Sequence, residues 1–200
     1  MKKRWYLSFL CIAVITTIHA QIFWEISGNG LTKPSYLLGT HHLIEKEQIP
    51  GFDQILTYVP QTDLVIGEMD MSKLMSMQLK MAQAAIMKDS TIQQLVSEAD
   101  YKLLDSEFKE LMGKGMDQLG RLKPSMLSSI YAVMLYTKEN QRKKEPEAID
   151  IVVQNAGKKA KKKVMGLETV EQQIDILFNS TPLKHQAELL VEAVKEKDKA

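Results

Sequence analysis

Three short segments of the chain place groups capable of acid, base or metal chemistry beside a glycine. They are Gly39-Thr40-His41-His42, Gly67-Glu68-Met69-Asp70 and Gly166-Leu167-Glu168-Thr169. Each follows an apolar run that is typical of a buried strand. Open α/β sheets carry their sites in the loops at the carboxyl ends of such strands. The pattern therefore predicts that these side chains meet at one rim of a sheet.

The first segment offers an imidazole. Gly39 would let the backbone approach closely, and His41 or His42 would supply a neutral ring nitrogen as ligand or base. Because successive side chains of a strand point in opposite directions, at most one of the two histidines is expected to enter a given pocket. The alternative is that both are partly exposed histidines at the junction of a strand and a loop.

The second and third segments offer carboxylates. Glu68 follows the apolar run Leu64–Ile66, and a carboxylate is costly to bury there unless it meets a partner. Beside a histidine it would form a metal-ligand or acid/base pair. The alternative is a carboxylate at a helix N-terminus, which suits Asp70 better than Glu68. Glu168 repeats the arrangement at the end of a later strand.

The elements that must position these groups follow from the hydrophobic pattern. Residues 23–27 and 35–40 are predicted strands joined by a turn-rich segment, so they form an opening hairpin. Further strands are predicted at 63–69 and 163–167. Between and after them, helical patterns cover 72–87, 91–96, 97–112, 126–136, 148–159, 169–178 and 182–197. We expect a mixed α/β (α+β) fold: a central sheet with an opening hairpin, covered by helices, with a large helical insertion in the middle.

The N-terminus predicts export. Three basic residues follow Met1, and an apolar run from Trp5 to Ile18 precedes Ala20. This is the pattern of a secretory signal peptide over residues 1–20, which leaves a domain over 21–200 in the periplasm or outside the cell. Ordinary cleavage is favoured over a lipid anchor at Cys11, because small residues do not precede that cysteine. No stable membrane span is expected after cleavage.

Composition excludes several classes of function. Cys11 is the only cysteine, so the mature chain has no disulfide, no thiolate nucleophile and no cysteine-bound zinc. A net charge of +1 gives no electrostatic basis for binding nucleic acid. Six methionines are better explained as residues of a core or groove-lining helix than as a soft-metal site: Met69, Met71, Met75, Met77, Met81 and Met87. Nothing in the composition indicates an oligomeric state.

The motifs together resemble the TraB/GumN family, to which the Tiki proteases also belong. The segments that carry the resemblance are Phe23–Ser27, Lys33–His42, Val65–Asp70, Leu122–Pro124 and Val164–Gln173. The resemblance extends from Ile22 to about Lys184. It implies an exported or membrane-linked α/β domain, related to the erythromycin esterase and ChaN group.

The resemblance also implies a hydrolase site, which in the Tiki branch is associated with proteolysis that depends on a divalent metal. Gly39 and His42 match the family's first Gly-x-x-His motif, with His41 beside them. Glu68 matches the strand-end glutamate and Glu168 the later one. By this analogy His42 and Glu68 are the expected metal ligands, and the substrate is a peptide or a small molecule.

The sequence departs from the family pattern at its C-terminal end. No glycine after Gly39 has a histidine three residues later, and the chain ends in a charged helical segment from Glu192. We therefore expect a domain that is incomplete at its C-terminus. An inactive or truncated module that binds a ligand or a partner is the alternative function. Haem or iron binding is less favoured, because the tyrosines better fit core or helix faces: Tyr36, Tyr58, Tyr101, Tyr131 and Tyr136.

Overall fold

The computed structural model describes residues 22–141 and 147–197, apart from the side chain of Lys73. The predicted signal peptide over 1–20 lies outside the described residues. So do the last three residues of the charged C-terminal segment. The chain divides into two compact units, with the boundary between Gly39 and Thr40.

The first unit contains the predicted hairpin, which is confirmed. Strand β1 (Phe23–Ile26) pairs antiparallel with β2 (Ser35–Leu38). The turn between them passes through three consecutive residues with positive φ: Gly28 at 91°, Asn29 at 48° and Gly30 at 84°. Glycine and asparagine are the residues that adopt this conformation at least cost, so the local sequence alone accounts for the reversal of the chain.

The second unit contains a parallel pair of strands. Strand β3 (Leu64–Gly67) and strand β4 (Lys163–Gly166) are in register from Leu64 opposite Lys163 to Gly67 opposite Gly166. Helix α7 (Ile149–Lys159) packs on this pair through Gly157. A Cβ atom on Gly157 would lie 2.8 Å from Cγ2 of Val65, so the glycine allows the helix to approach the strand.

Nine helices are found in the described chain. Most of them lie between β3 and β4, as the predicted helical insertion requires. In order they are α1 (Phe52–Leu56), α2 (Leu74–Ala84), α3 (Ile92–Leu95), α4 (Glu98–Met112), α5 (Met116–Leu119), α6 (Pro124–Glu139), α7, α8 (Val170–Ile174) and α9 (Leu183–Glu196). The predicted helix over 169–178 is divided, because α8 continues as a π-helical turn over Asp175–Asn179.

The main core of the second unit lies among the helices. Side chains from α4, α6 and α9 are fully buried there, with Leu104, Leu127 and Leu190 each 0% exposed. Pro124 at the first position of α6 suits a helix start, and Gly113 in the left-handed conformation ends α4. The described helices include none with both the length and the apolar character needed to cross a membrane.

The mixed α/β class is confirmed, but the strands are arranged differently from the single central sheet that the sequence predicts. Among the described residues they pair as two two-stranded sheets, β1 with β2 and β3 with β4. The hydrophobic pattern identifies strand segments, but it does not specify which strand edges form hydrogen bonds with each other. That choice depends on tertiary packing.

Candidate functional site

Glu68 and Glu168 lie side by side because the parallel pairing continues beyond the strands. The amide of Leu167 donates to the carbonyl oxygen of Gly67 at 2.9 Å. The amide of Glu168 donates to the carbonyl oxygen of Glu68, also at 2.9 Å. The two glutamates therefore leave neighbouring strands at the same rim, which we call the strand-end rim.

Gly67 and Gly166, the last residues of the two strands, leave room for residues 69–71 to cross the strand ends. A Cβ atom on Gly166 would lie 2.6 Å from the backbone nitrogen of Asp70, and one on Gly67 would overlap the side chain of Gln154. Gln154 is 1% exposed and donates to the carbonyl oxygen of Met69 at 2.9 Å. The Oε1 atom of Gln154 accepts a hydrogen bond from the backbone amide of Met71 at 3.0 Å. The segment after β3 is thus held across the ends of both strands.

Gln173 joins the two carboxylates. Its Nε2 donates to Oε1 of Glu68 and to Oε2 of Glu168, with both distances at 2.5 Å. One amide group has two hydrogens, so it can satisfy both acceptors at once. Gln173 is 7% exposed and lies on α8, whose start is capped by Thr169 accepting from the amide of Gln172. The two carboxylates are consequently held near each other by a buried and well-positioned donor.

His42 lies against the other oxygen of Glu68. Its Nε2 is 3.8 Å from Oε2 of Glu68, and its Nδ1 is 3.7 Å from Oδ1 of Asp150. The imidazole thus lies between two carboxylates. The structure brings together His42, Glu68 and Glu168 at the strand-end rim and adds Asp150 from the first turn of α7.

His41 and Gly39 do not take part in these contacts. The Nδ1 atom of His41 accepts a hydrogen bond from the amide of Leu43 at 3.1 Å, which stabilises the local turn. A Cβ atom on Gly39 would meet only Ile22, at 3.7 Å or more, so the described contacts do not require glycine at this position. The adjacent histidines differ in role because their side chains point in different directions.

Asp150 determines the electrostatics of His42. Its side chain is 14% exposed, and its Oδ1 is buried without a hydrogen bond among the described residues. The pKa of His42 is raised, chiefly because the Asp150 carboxylate is a polar partner for Nδ1; partial burial opposes this effect. The pKa of Asp150 is lowered, chiefly by His42. At 3.7 Å the contact is longer than a hydrogen bond, so we describe it as an ion pair.

This arrangement favours one tautomer of the neutral ring. A proton on Nδ1 faces the orphaned oxygen of Asp150, and the lone pair on Nε2 then faces Glu68. A carboxylate on the far nitrogen is the usual way to orient a histidine that acts as a base or as a metal ligand. The geometry is compatible with either chemistry.

The residues fit a divalent ion held by two protein donors. Imidazole nitrogen and carboxylate oxygen are both common ligands of such ions. Two ligands at about 2.0–2.2 Å from one ion can lie up to ~4 Å apart. The 3.8 Å separation of His42 Nε2 and Glu68 Oε2 is within that limit. Over 22–141 and 147–197, no group of three histidine, cysteine, aspartate or glutamate side chains could hold a metal ion, so water would complete the coordination.

Sequence reasoning missed Asp150 and Gln173. Asp150 follows a stretch of charged residues in the sequence, and an acidic residue in the first turn of a helix has an ordinary explanation in the helix dipole. Gln173 stands next to the capping residues of α8, and its bond to Glu68 joins residues 105 apart in sequence. Neither residue carries a local signal of its role.

Comparison with known proteins gives a match to one family model. The TraB/PrgY/gumN family model matches residues 22–200, which include all of the rim residues. No curated protein matches the chain, and neither does any solved structure.

Proposed function

The chain belongs to the TraB/PrgY/gumN family, and on this premise we propose that the strand-end rim is the active site of a hydrolase that uses a divalent metal ion. The observation that carries the proposal is the position of His42 between Asp150 and Glu68, with each ring nitrogen within 4 Å of a carboxylate oxygen. The substrate would be a peptide or a small molecule.

Each rim residue has a distinct task in this proposal. Nε2 of His42 and Oε2 of Glu68 would hold the ion, and Asp150 keeps the proton of His42 on Nδ1. When bound, a divalent ion supplies a Lewis acid and lowers the pKa of coordinated water. Gln173 holds Oε2 of Glu168, and the second oxygen of Glu168 accepts the proton of the attacking water.

Calorimetric titration with Mn²⁺ and Zn²⁺ tests the binding step. We expect His42→Ala to abolish measurable binding, because it removes one of only two donors. The neighbouring substitution His41→Ala is the matched control and should leave the affinity within about twofold, since the His41 ring accepts a hydrogen bond from the local turn and is not a proposed ligand. Equal metal affinity in the wild type and His42→Ala would overturn the proposal.

Turnover tests the chemical step. We expect a chelator to abolish peptide or ester hydrolysis and added metal to restore it. Glu168→Gln should lower kcat by about 10²–10⁴-fold, as expected for loss of a general base. It should leave metal affinity unchanged, because Glu168 bonds to Gln173 and is not a proposed ligand. Full activity of Glu168→Gln would remove this residue from the mechanism.

A non-enzymatic binding module is the second candidate. It is favoured by the openness of the site, since the side chains of His42 and Glu68 are 66% and 49% exposed. A hydrolase site normally restricts water, and within the part of the chain that the structure describes only His42 and Glu68 are placed to hold the ion. Thermal stabilisation by candidate ligands, without any turnover, would support this module in place of the hydrolase.

We also propose that the protein is exported, on the basis of the signal-peptide pattern over residues 1–20. Expression with this segment should yield a processed protein whose mature N-terminus, determined by mass spectrometry, lies near Gln21. An unprocessed chain retained in the cytoplasm would contradict export but would not affect the hydrolase proposal.

A further inference from the structure

Lys123 carries a charge that no described carboxylate neutralises. Its Nζ donates to Oδ1 of Asn179 at 2.8 Å and to the carbonyl oxygen of Phe178 at 3.4 Å, and both acceptors are neutral. The same atom lies 5.7 Å from the centroid of the Phe178 ring. Partial burial lowers the pKa of Lys123. A partly desolvated ammonium without a counter-ion is a favourable place for an external anion.

The position of Lys123 is fixed by the backbone. Its amide donates to the carbonyl oxygen of Ala85 at 2.7 Å, next to a short bridge between Ile86 and Leu122. Asn179 at the end of the π-helical turn then holds the side chain. The ammonium group is therefore preorganised, so binding would cost little additional side-chain entropy.

Lys123 lines a cavity of about 390 Å³ that is open to the surface and is large enough for a small organic molecule. Apolar side chains contribute to the wall, among them Ala84, Ile86 and Leu183. Ile86 is 46% exposed, so its side chain is open to contact with a bound molecule. Leu183 is the first residue of α9, a helix of 14 residues without a side-chain cap, so the positive end of its dipole is also close.

We propose that this cavity binds a small carboxylic acid with an apolar body. The carboxylate pairs with Nζ of Lys123, and the apolar body contacts Ile86 and Leu183. A free short-chain acid and the C-terminal residue of a peptide share this chemistry. Asp89 is the one carboxylate in the wall, and it limits how much negative charge the cavity accepts. The inference does not rest on the proposed hydrolase, because its argument uses none of the strand-end rim residues.

Calorimetry with matched acids and amides tests the charge requirement on the wild-type chain. The probes are hexanoate against hexanamide, and N-acetyl-leucine against N-acetyl-leucine amide. We expect the acid of each pair to bind about tenfold or more tightly than its amide, as expected for a charge-assisted contact. Tighter binding of hexanoate indicates a free acid, and tighter binding of N-acetyl-leucine indicates a peptide terminus. Equal binding of acid and amide, or no binding by any probe, would overturn the proposal.

Variants locate the binding in the cavity. Lys123→Met should weaken acid binding at least about tenfold. Lys88→Met removes another lysine of the wall. This variant should change the affinity for the acid by less than about threefold, because Lys88 is exposed and its charge is screened. Because Lys123 also bonds to the chain, Ala84→Leu provides a second variant that fills the cavity and leaves those bonds in place. Undiminished binding in Ala84→Leu would exclude this cavity as the site.

Discussion

The helical core and the strand-end rim are stabilised by different kinds of interaction. In the helical core, Leu104, Leu127 and Leu190 are fully buried, and their contacts are non-directional. At the rim, His42 and Glu68 are largely exposed, and their positions depend on a few directional polar contacts. Substitutions in the first region should therefore change global stability. Substitutions in the second should change local geometry and chemistry.

Two adjacent leucines of α9 test the contribution of the helical core. Leu190 is 0% exposed and Leu189 is 48% exposed. We expect Leu190→Ala to lower the free energy of unfolding by about 2–5 kcal/mol, because it removes buried methyl groups and leaves a cavity. Leu189→Ala should change it by less than about 0.5 kcal/mol. Equilibrium urea denaturation measures both, and equal losses would contradict the assigned burial.

Gly166 is an exception to this division, because its substitution at the rim should affect both stability and local geometry. A Cβ atom would lie 2.6 Å from the amide nitrogen of Asp70 and 2.9 Å from Cα of Met69. Since backbone must move to accommodate it, we expect Gly166→Ala to destabilise the fold by about 1–3 kcal/mol. Metal affinity should also fall.

Gly39→Ala is the control for this substitution, because a Cβ atom there would meet only Ile22 at ordinary contact distance. We expect a change in unfolding free energy within about 0.5–1 kcal/mol for this variant. If Gly166→Ala is as well tolerated as Gly39→Ala, the crossing of residues 69–70 over the strand ends is not as tight as described.

Gln173 tests the polar contacts at the rim. Gln173→Leu has similar volume but removes the donor to both glutamates, so we expect a loss of about 1–3 kcal/mol in stability. We also expect hydrolysis to fall by more than the loss of folded protein explains, because the two carboxylates are no longer held in place. The exposed residue Gln118 provides the comparison, and Gln118→Leu should change neither quantity measurably. Wild-type activity in Gln173→Leu would show that the bridge has no functional role.

The smallest expected effect concerns the protonation of His42. Asp150 of α7 and Glu68 at the end of β3 are the charged groups that face its ring. We expect Asp150→Asn to lower the pKa of His42, since Asp150 is the main cause of its upward shift. Titration of the Hε1 resonance of the His42 ring by NMR measures this. An unchanged pKa of His42 would exclude the ion pair.

The sign of the associated stability effect follows from both partners. The raised pKa of His42 contributes stability that is complete below its usual value of 6.5 and is lost as the pH rises through the folded-state value. The lowered pKa of Asp150 contributes stability above its usual value of 3.8, which is lost as the pH falls through the folded-state value. The pair therefore stabilises the fold most between about pH 4 and 6.5. The effect is small because His42 is 66% exposed and its charge is screened.

The sequence by itself determined the features that depend on neighbours a few residues away. The turn at Gly28, the helix start at Pro124 and the cap at Thr169 follow from the conformations and hydrogen bonds that these residues favour. The three glycine-containing strand ends, with His42, Glu68 and Glu168, could also be located from the hydrophobic pattern. Their chemical types alone restrict the functions that the site could perform.

Only the tertiary structure decided how these groups meet. The register that sets Gly67 opposite Gly166 places the two glutamates together, and a slip of one residue would turn their side chains to opposite faces. Asp150 reaches His42 only because α7 packs on the parallel strands through Gly157. Such contacts join residues about 100 positions apart, so they depend on the packing of whole elements. No local preference of the chain encodes them.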